Sequence, residues 1–272
     1  MTQPASPRMT AARLAALIGA GDADGVAAAV AAAPRLLAAT VEHDGVGGWT
    51  PLHLAVATGR EDVVAALVSA GADLRAPLED GRSPLHVALE QARGLVAPLR
   101  GLGAPVDAAS AAFLGDVPTL VAQLDAGGPL RDPDSGVGLL HWAARGRSAP
   151  AARLLLGRGA DPDGAALHAA AGAGAVQVVG LLLTAGTDVD AREPDTGRTP
   201  LHTAVADAPA GDVVEVVGRL LAAGADVDAT TTDGASALDI CRVAAARDRA
   251  AGTADGAHDA LAELLVAAGA RH

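Results

Sequence analysis

Two short strings recur in this 272-residue chain, and the distance between them is nearly constant. The first reads Thr50-Pro51-Leu52-His53-Leu54-Ala55, then Ser83-Pro84-Leu85-His86-Val87-Ala88, then Thr199-Pro200-Leu201-His202-Thr203-Ala204. Worn copies stand at Leu139-Leu140-His141-Trp142-Ala143 and Ala165-Ala166-Leu167-His168-Ala169. The second is Gly71-Ala72-Asp73, which returns at Gly159-Ala160-Asp161, Gly186-Thr187-Asp188 and Gly224-Ala225-Asp226, and more weakly at Gly103-Ala104-Pro105 and Gly269-Ala270. Eighteen residues separate His53 from Gly71, His141 from Gly159 and His168 from Gly186; seventeen separate His86 from Gly103. Such a period means one supersecondary unit stacked many times, each burying its apolar face only against its neighbours.

Each piece has a local physical reason. Thr50 or Thr199 can cap a helix N-terminus, with proline at the first helical position, where its missing N–H costs nothing. Gly71 and Gly224 sit where a helix should end and can take the left-handed backbone of a C-cap. Between the strings, Val63-Val64-Ala65-Ala66-Leu67-Val68 and Val178-Val179-Gly180-Leu181-Leu182-Leu183 read as second helices. Asp80-Gly81, Ser135-Gly136 and Asp233-Gly234 mark turns.

These strings resemble the ankyrin family, whose repeat of about 33 residues carries T-P-L-H-x-A. The resemblance covers residues 10–272. It implies an all-α solenoid, a right-handed stack of about eight helix-turn-helix repeats with short β-hairpin or turn connections, and a role in protein recognition. The approximate repeats are 10–44, 45–78, 79–106, 107–132, 133–162, 163–193, 194–230 and 231–272, a single domain behind a disordered tail at 1–9. Phase supplies the degenerate copies. Leu14 to Asp22 matches Leu52 to Arg60 with Ala15 in the histidine slot, Ala109 to Gly115 opens a fourth repeat closed by Gly127, and Ala237-Leu238-Asp239 opens the eighth. Both terminal repeats lack the string, as capping repeats do.

The departures individualise the chain. Gly103 to Ala109 and Gly159 to His168 are too short for a full finger, so two connections are truncated and gaps are expected before repeats four and six. His202 to Gly224 is four residues long in excess, and Asp239 to Gly269 twelve. The latter excess, 242–256, reads as helix continuation through Arg249 and then a loop. It is either a tolerated surface insertion or a binding or self-association element.

Half of the residues are hydrophobic, yet Trp49, Trp142 and Phe113 are the only aromatics, and lysine and asparagine are absent. This bias suggests AT-poor codons and a GC-rich bacterial genome. A core of Ala, Val and Leu favours close helix packing. The net charge of −12 argues against nucleic acid, which demands clustered Lys or Arg. It fits either solubility or a basic partner. The lone Cys241 excludes an internal disulfide and suits a reducing compartment. Leu14 to Ile18 is too short for a signal sequence, and no segment approaches a membrane span, so a cytoplasmic monomer is expected.

No catalytic constellation stands out. His53, His86, His141, His168 and His202 fill one slot in separate repeats. Adjacent repeats lie roughly 8–10 Å apart, too far to share a zinc bound at about 2.0–2.1 Å. The resemblance gives them a structural role, tying each turn to its neighbour. Asp161/Asp163, Asp188/Asp190 and Asp226/Asp228 lack the Gly and Glu positions of a calcium loop. Gly19-Ala20-Gly21 lacks dinucleotide spacing, and a P-loop is impossible without lysine. No cofactor and no metal is expected, and the chain is read as not an enzyme. An enzyme site hidden in the degenerate stretch 104–170 is the remote alternative.

Recognition remains. In the ankyrin pattern the turn tips and the fourth and fifth residues after the motif histidine face partners. That places Trp49, Arg82, Glu90, Phe113, Leu114, Arg145 and Arg198 at partner-facing slots, with Gly146, Gly172/Ala173 and Ala206/Asp207 in the same row and Trp142 beside it. Aromatic and arginine side chains dominate interface hot spots. The competing reading makes Phe113 a filler for the space left by the missing finger. The function expected is an intracellular adaptor or inhibitor binding a protein through the concave face, the alternative an acidic immunity- or antitoxin-like inhibitor of a basic enzyme.

Overall fold

Thr50, Ser83 and Thr199 start their helices by one device. The Thr50 and Ser83 side-chain oxygens accept the amides of His53 and His86, while each imidazole Nδ1 accepts the cap residue's own amide. The Thr199 amide donates to His202 Nδ1 in the same way. The motif histidine therefore completes a capping box, the part a Glu or Gln usually plays.

The structure, a computed structural model, describes residues 10–43, 46–207, 210–251 and 257–271. The expected tail at 1–9 and the loop expected at 252–256 lie outside these. Sixteen α-helices among the described residues form eight consecutive pairs. They are α1 (Ala11–Ala20) with α2 (Ala23–Ala32), α3 (Pro51–Ala57) with α4 (Glu61–Ser69), α5 (Pro84–Gln91) with α6 (Val96–Gly101), and α7 (Ala108–Leu114) with α8 (Val117–Asp125). Then follow α9 (Leu139–Arg145) with α10 (Ala149–Gly157), α11 (Gly164–Gly172) with α12 (Val176–Thr184), α13 (Pro200–Asp207) with α14 (Ala210–Ala222), and α15 (Ala237–Ala251) with α16 (Ala257–Ala267). Among the described residues the architecture is all-α, built of successive helix-turn-helix pairs, as the resemblance implies. One antiparallel hairpin, β1 (Val41–His43) with β2 (Val46–Trp49), aligns Val41 with Trp49.

Second helices end as their glycines dictate. Gly71, Gly103, Gly127, Gly159, Gly186, Gly224 and Gly269 all have φ between 84° and 104°, a region that costs glycine nothing.

Two compact units result. The first takes the described residues up to Ser110 together with Pro133–Gly136. In it α1 packs on α3 and α3 on α5, with α2 against α4. Its core is Leu14, Ile18, Val26, Leu52, Val63, Leu67, Leu85 and Leu99. The gap expected before repeat four is closed here: Gly81 lies against the Asp134–Ser135 backbone so tightly that a Cβ would not fit. The turn of the fifth repeat thus seats directly on that of the third.

The second unit takes Ala111–Asp132 and Val137–His272. In it α9, α11, α13 and α15 pack in succession, as do α8, α10, α12 and α14. Leu139, Leu155, Leu167, Val179, Leu182, Leu201, Val216 and Leu220 fill the layers. Where connections are truncated, aspartate replaces the Thr-Pro cap. Asp163 accepts the Ala166 amide at 2.9 Å, and in the first unit Asp107 accepts that of Ser110 at 2.7 Å.

Candidate partner-binding groove

Helix α15 is fifteen residues long, whereas the first helices of the other pairs have seven to ten. Leu238, Cys241 and Ala245 form its buried stripe. On another face Ile240, Val243, Ala244 and Arg247 recur at i, i+3, i+4 and i+7 and line an open groove of about 450 Å³ with Ala206, Asp207, Ala235, Asp239 and Arg198. Ala206 and Asp207 come from the end of α13, and Arg198 from the turn before it. Val243 is 65% exposed, the most exposed of the large hydrophobic residues noted in the second unit.

The groove's charges are unequally committed. Ser236 caps α15 and Asp239 reaches back to it, accepting the Ser236 amide at 2.9 Å and its hydroxyl at 2.7 Å, bonds that hold the Asp239 carboxyl below the usual range. Arg198 approaches Asp207 at 3.9 Å, the long limit of an ion pair. Burial pushes the Cys241 thiol up to about 11, so behind the groove it stays protonated and inert.

Other residues expected to face a partner are placed differently. Trp49 is 1% exposed, with its ring edge-on to His43 at 4.7 Å and to His53 at 6.1 Å. Phe113 is 6% exposed and Trp142 3%. The reading of these three as partner contacts is corrected: each ring fills a layer otherwise built from small side chains. Ala109, Ser110, Ala111 and Ala112 precede Phe113 in sequence and are buried like it, and Gly146 lies against the Phe113 carbonyl, where a Cβ would collide. Gly146 is thereby a contact residue of the interior, not an open slot.

Arg82 and Glu90 are brought together, and each occupies the other. Arg82 donates from Nη1 to Glu90 at 2.9 Å and from Nε to Asp80 at 2.8 Å, with both partners of the Glu90 pair mostly buried. Burial disfavours the charged Arg82, but Glu90 and Asp80 outweigh it and raise its proton affinity. Leu114 is half-buried and Arg145 exposed. Trp49, Arg82 and Glu90 lie in the first unit, and Phe113, Leu114, Trp142, Arg145 and Arg198 in the second.

The motif histidines point onward along the chain. With Nδ1 accepting the cap amide, the proton sits on Nε2 in His86 and His202. His86 Nε2 donates to Asp107 at 3.2 Å, and His202 Nε2 to the Ala235 carbonyl at 3.2 Å. His168 donates to the Ala191 carbonyl at 2.8 Å, and His141 Nδ1 to that of Ala165 at 3.2 Å. Asp107, Ala165 and Ala235 belong to the repeat that follows, and Ala191 to the turn that leads into it. Burial would raise Asp107, but the hydrogen bond and charge of His86 and the Ser110 amide hold it low. Burial depresses His53 to about 4; the Arg82 and Ala76 carbonyls oppose this, yet neither closes an aligned bond, and Nε2 has no hydrogen-bond partner among the described residues. No group of three His, Cys, Asp or Glu side chains able to hold a metal occurs among the described residues.

Val243, Ala244 and Arg247 fall in the stretch 242–256 that the sequence reads as either a surface insertion or a binding or self-association element, but they and Ile240 were not placed at partner-facing slots. The signal was present: Asp239 stands in the histidine slot, and its fourth and fifth successors are Val243 and Ala244. The Asp-for-His exchange concealed it.

A family model described as ankyrin repeats (three copies) matches residues 15–107 and 140–231, well over half of the chain. Rabankyrin-5 from Homo sapiens is 40% identical over 58 residues, 21% of this chain. Neurogenic locus notch homolog protein 1, from Mus musculus and from Homo sapiens, is 35% identical over 130 residues, 43% of this chain. In each case the match covers 5% of the relative's own length. No helix among the described residues is long and apolar enough to cross a membrane.

Proposed function

The chain belongs to the ankyrin-repeat family, whose repeats form protein–protein interaction modules, and from that premise we propose that it is an intracellular adaptor or inhibitor that grips one partner protein. Residues 10–272 act as one repeat domain, and no catalytic step is assigned to them. The observation that carries the proposal is the groove between α13 and α15, where partner-facing slots of two successive repeats meet as an open apolar strip with charged ends. Such an anchor ringed by polar groups is the usual composition of a recognition surface. Arg145, exposed at its own slot, extends the candidate surface; Leu114 contributes less.

A second reading is favoured by the charge of −12: an acidic inhibitor of a basic enzyme. The two differ in salt dependence, because association steered by net charge weakens steeply as screening grows.

Affinity purification of the full chain from its source cells, followed by titration of the recovered protein, tests the function. A stoichiometric complex of micromolar or tighter affinity is expected. Affinity that collapses between low and physiological salt, with an enzyme as partner, selects the inhibitor reading. Absence of any stoichiometric complex sinks both.

A further inference from the structure

Helix α15 continues about seven residues beyond the point at which α13 stops, and at 1.5 Å per residue its overhang is roughly 10 Å long. The stripe begins beside α13, where Ile240, Val243 and Ala244 stand level with Thr203, Ala206 and Asp207, and its last member, Arg247, lies on the overhang. The stripe has helical spacing, small residues at its centre and a cation at its far end. Among the described residues Arg247 has neither an ion-pair nor a hydrogen-bond partner, whereas Asp239 is committed to Ser236, and Asp207 faces Arg198.

We propose that this stripe is the seat of an amphipathic helix of the partner protein, one that lays an aliphatic side chain over Val243 and sets a carboxylate against Arg247. The proposal rests on reading the chain as a protein-recognition module and names the kind of partner segment. A helix is the occupant that matches an i, i+3, i+4, i+7 ridge, since such ridges interdigitate with their like. Its anchor is aliphatic because the floor of Ala206, Ala235 and Ala244 is shallow. Its charge is negative because the groove's uncommitted charge is the guanidinium. The net −12 of the chain limits how acidic this helix can be. Long-range repulsion is screened beyond roughly 8 Å at physiological ionic strength, so one or two carboxylates in contact with Arg247 are accommodated, but an acidic run is repelled.

The test uses a displayed library of random peptides several helical turns long, selected against the full chain. Enriched sequences should pair aliphatic residues at helical spacing with a single Asp or Glu. A synthetic enriched peptide should lose at least about tenfold in affinity for Val243→Asp and for Arg247→Glu, the size of a modest hot spot. Replacing the peptide's carboxylate by lysine should restore binding to Arg247→Glu. Circular dichroism on both variants controls for folding, and since Val243 is exposed neither should unfold. Peptides that bind both variants undiminished, peptides enriched in Lys or Arg, or a selection without binders overturn this occupant. A partner recovered from cells would leave the protein-recognition reading standing in each case. Self-association abolished by Val243→Asp would make the occupant a second copy and likewise overturn the proposal.

Discussion

Arg147 and Asp212 form an ion pair at 2.8 Å that links the fifth repeat to the seventh across the sixth, and Arg147 holds it from a left-handed backbone with φ of 58°. The equivalent turns elsewhere use Gly21, Gly59, Gly115 and Gly174, with φ between 68° and 73°. In the sixth repeat, Gly172 and Ala173 beside Gly174 keep that turn small.

Arg147→Gly is expected to be neutral or mildly stabilising. A side chain in this conformation costs about 1 kcal/mol, while a half-exposed ion pair contributes roughly 0–1 kcal/mol. Arg147→Ala keeps the strain and loses the pair, so its urea midpoint should fall below that of Arg147→Gly. The opposite order would show that the ion pair outweighs the strain.

Trp49→Ala and Phe113→Ala should each cost about 3–5 kcal/mol, as for buried rings. Trp49→Phe should cost far less, because it keeps most of the burial and removes an indole N–H that has no hydrogen-bond partner among the described residues. Denaturant unfolding of the three variants checks this. A mild Trp49→Ala would return that ring to the surface.

Stability should decline as pH falls from about 6.5 to about 4. Folded His53 resists protonation down to about 4, whereas its ordinary value is 6.5, so the unfolded chain binds the proton first. The contribution is complete above 6.5, disappears through that window, and amounts to about 3 kcal/mol. His202, depressed mainly by burial, acts in the same direction. His53→Gln should flatten the dependence of the urea midpoint on pH between 6.5 and 4. An unchanged slope would refute the assignment to His53.

A chelator should leave the melting temperature unchanged within about a degree. The motif histidines belong to separate repeats, and Nε2 of His86, His168 and His202 is already engaged with an oxygen farther along the chain. A fall of several degrees with EDTA would mean that a metal holds the stack.

The repeat itself was legible because its signals are local. Whether Thr50 caps a helix depends on an amide three residues away, and whether Gly71 ends one depends on its own missing Cβ. The eight pairs, a helical continuation through Arg249 and the two truncated connections follow from such short-range rules applied in phase. The site was only partly legible. Arg198 and Asp207 could be placed by counting, but the same count failed at the eighth repeat, where Asp239 replaces histidine.

What tertiary structure decided was the fate of side chains at slots that counting could only label. Sequence fixes the direction in which a helix residue points, not what the neighbouring repeat places there. In a chain this poor in aromatics the layers are thin and lined by alanine, so burying Trp49, Phe113 and Trp142 fills space no other residue occupies. Arg82 and Glu90, eight residues apart, met because the turn folds back over α5, where a partly buried charge is stabilised by an opposite one. Val243 stayed outside because the residue level with it in the preceding repeat is Ala206, whose single methyl is too short to cover an aliphatic side chain.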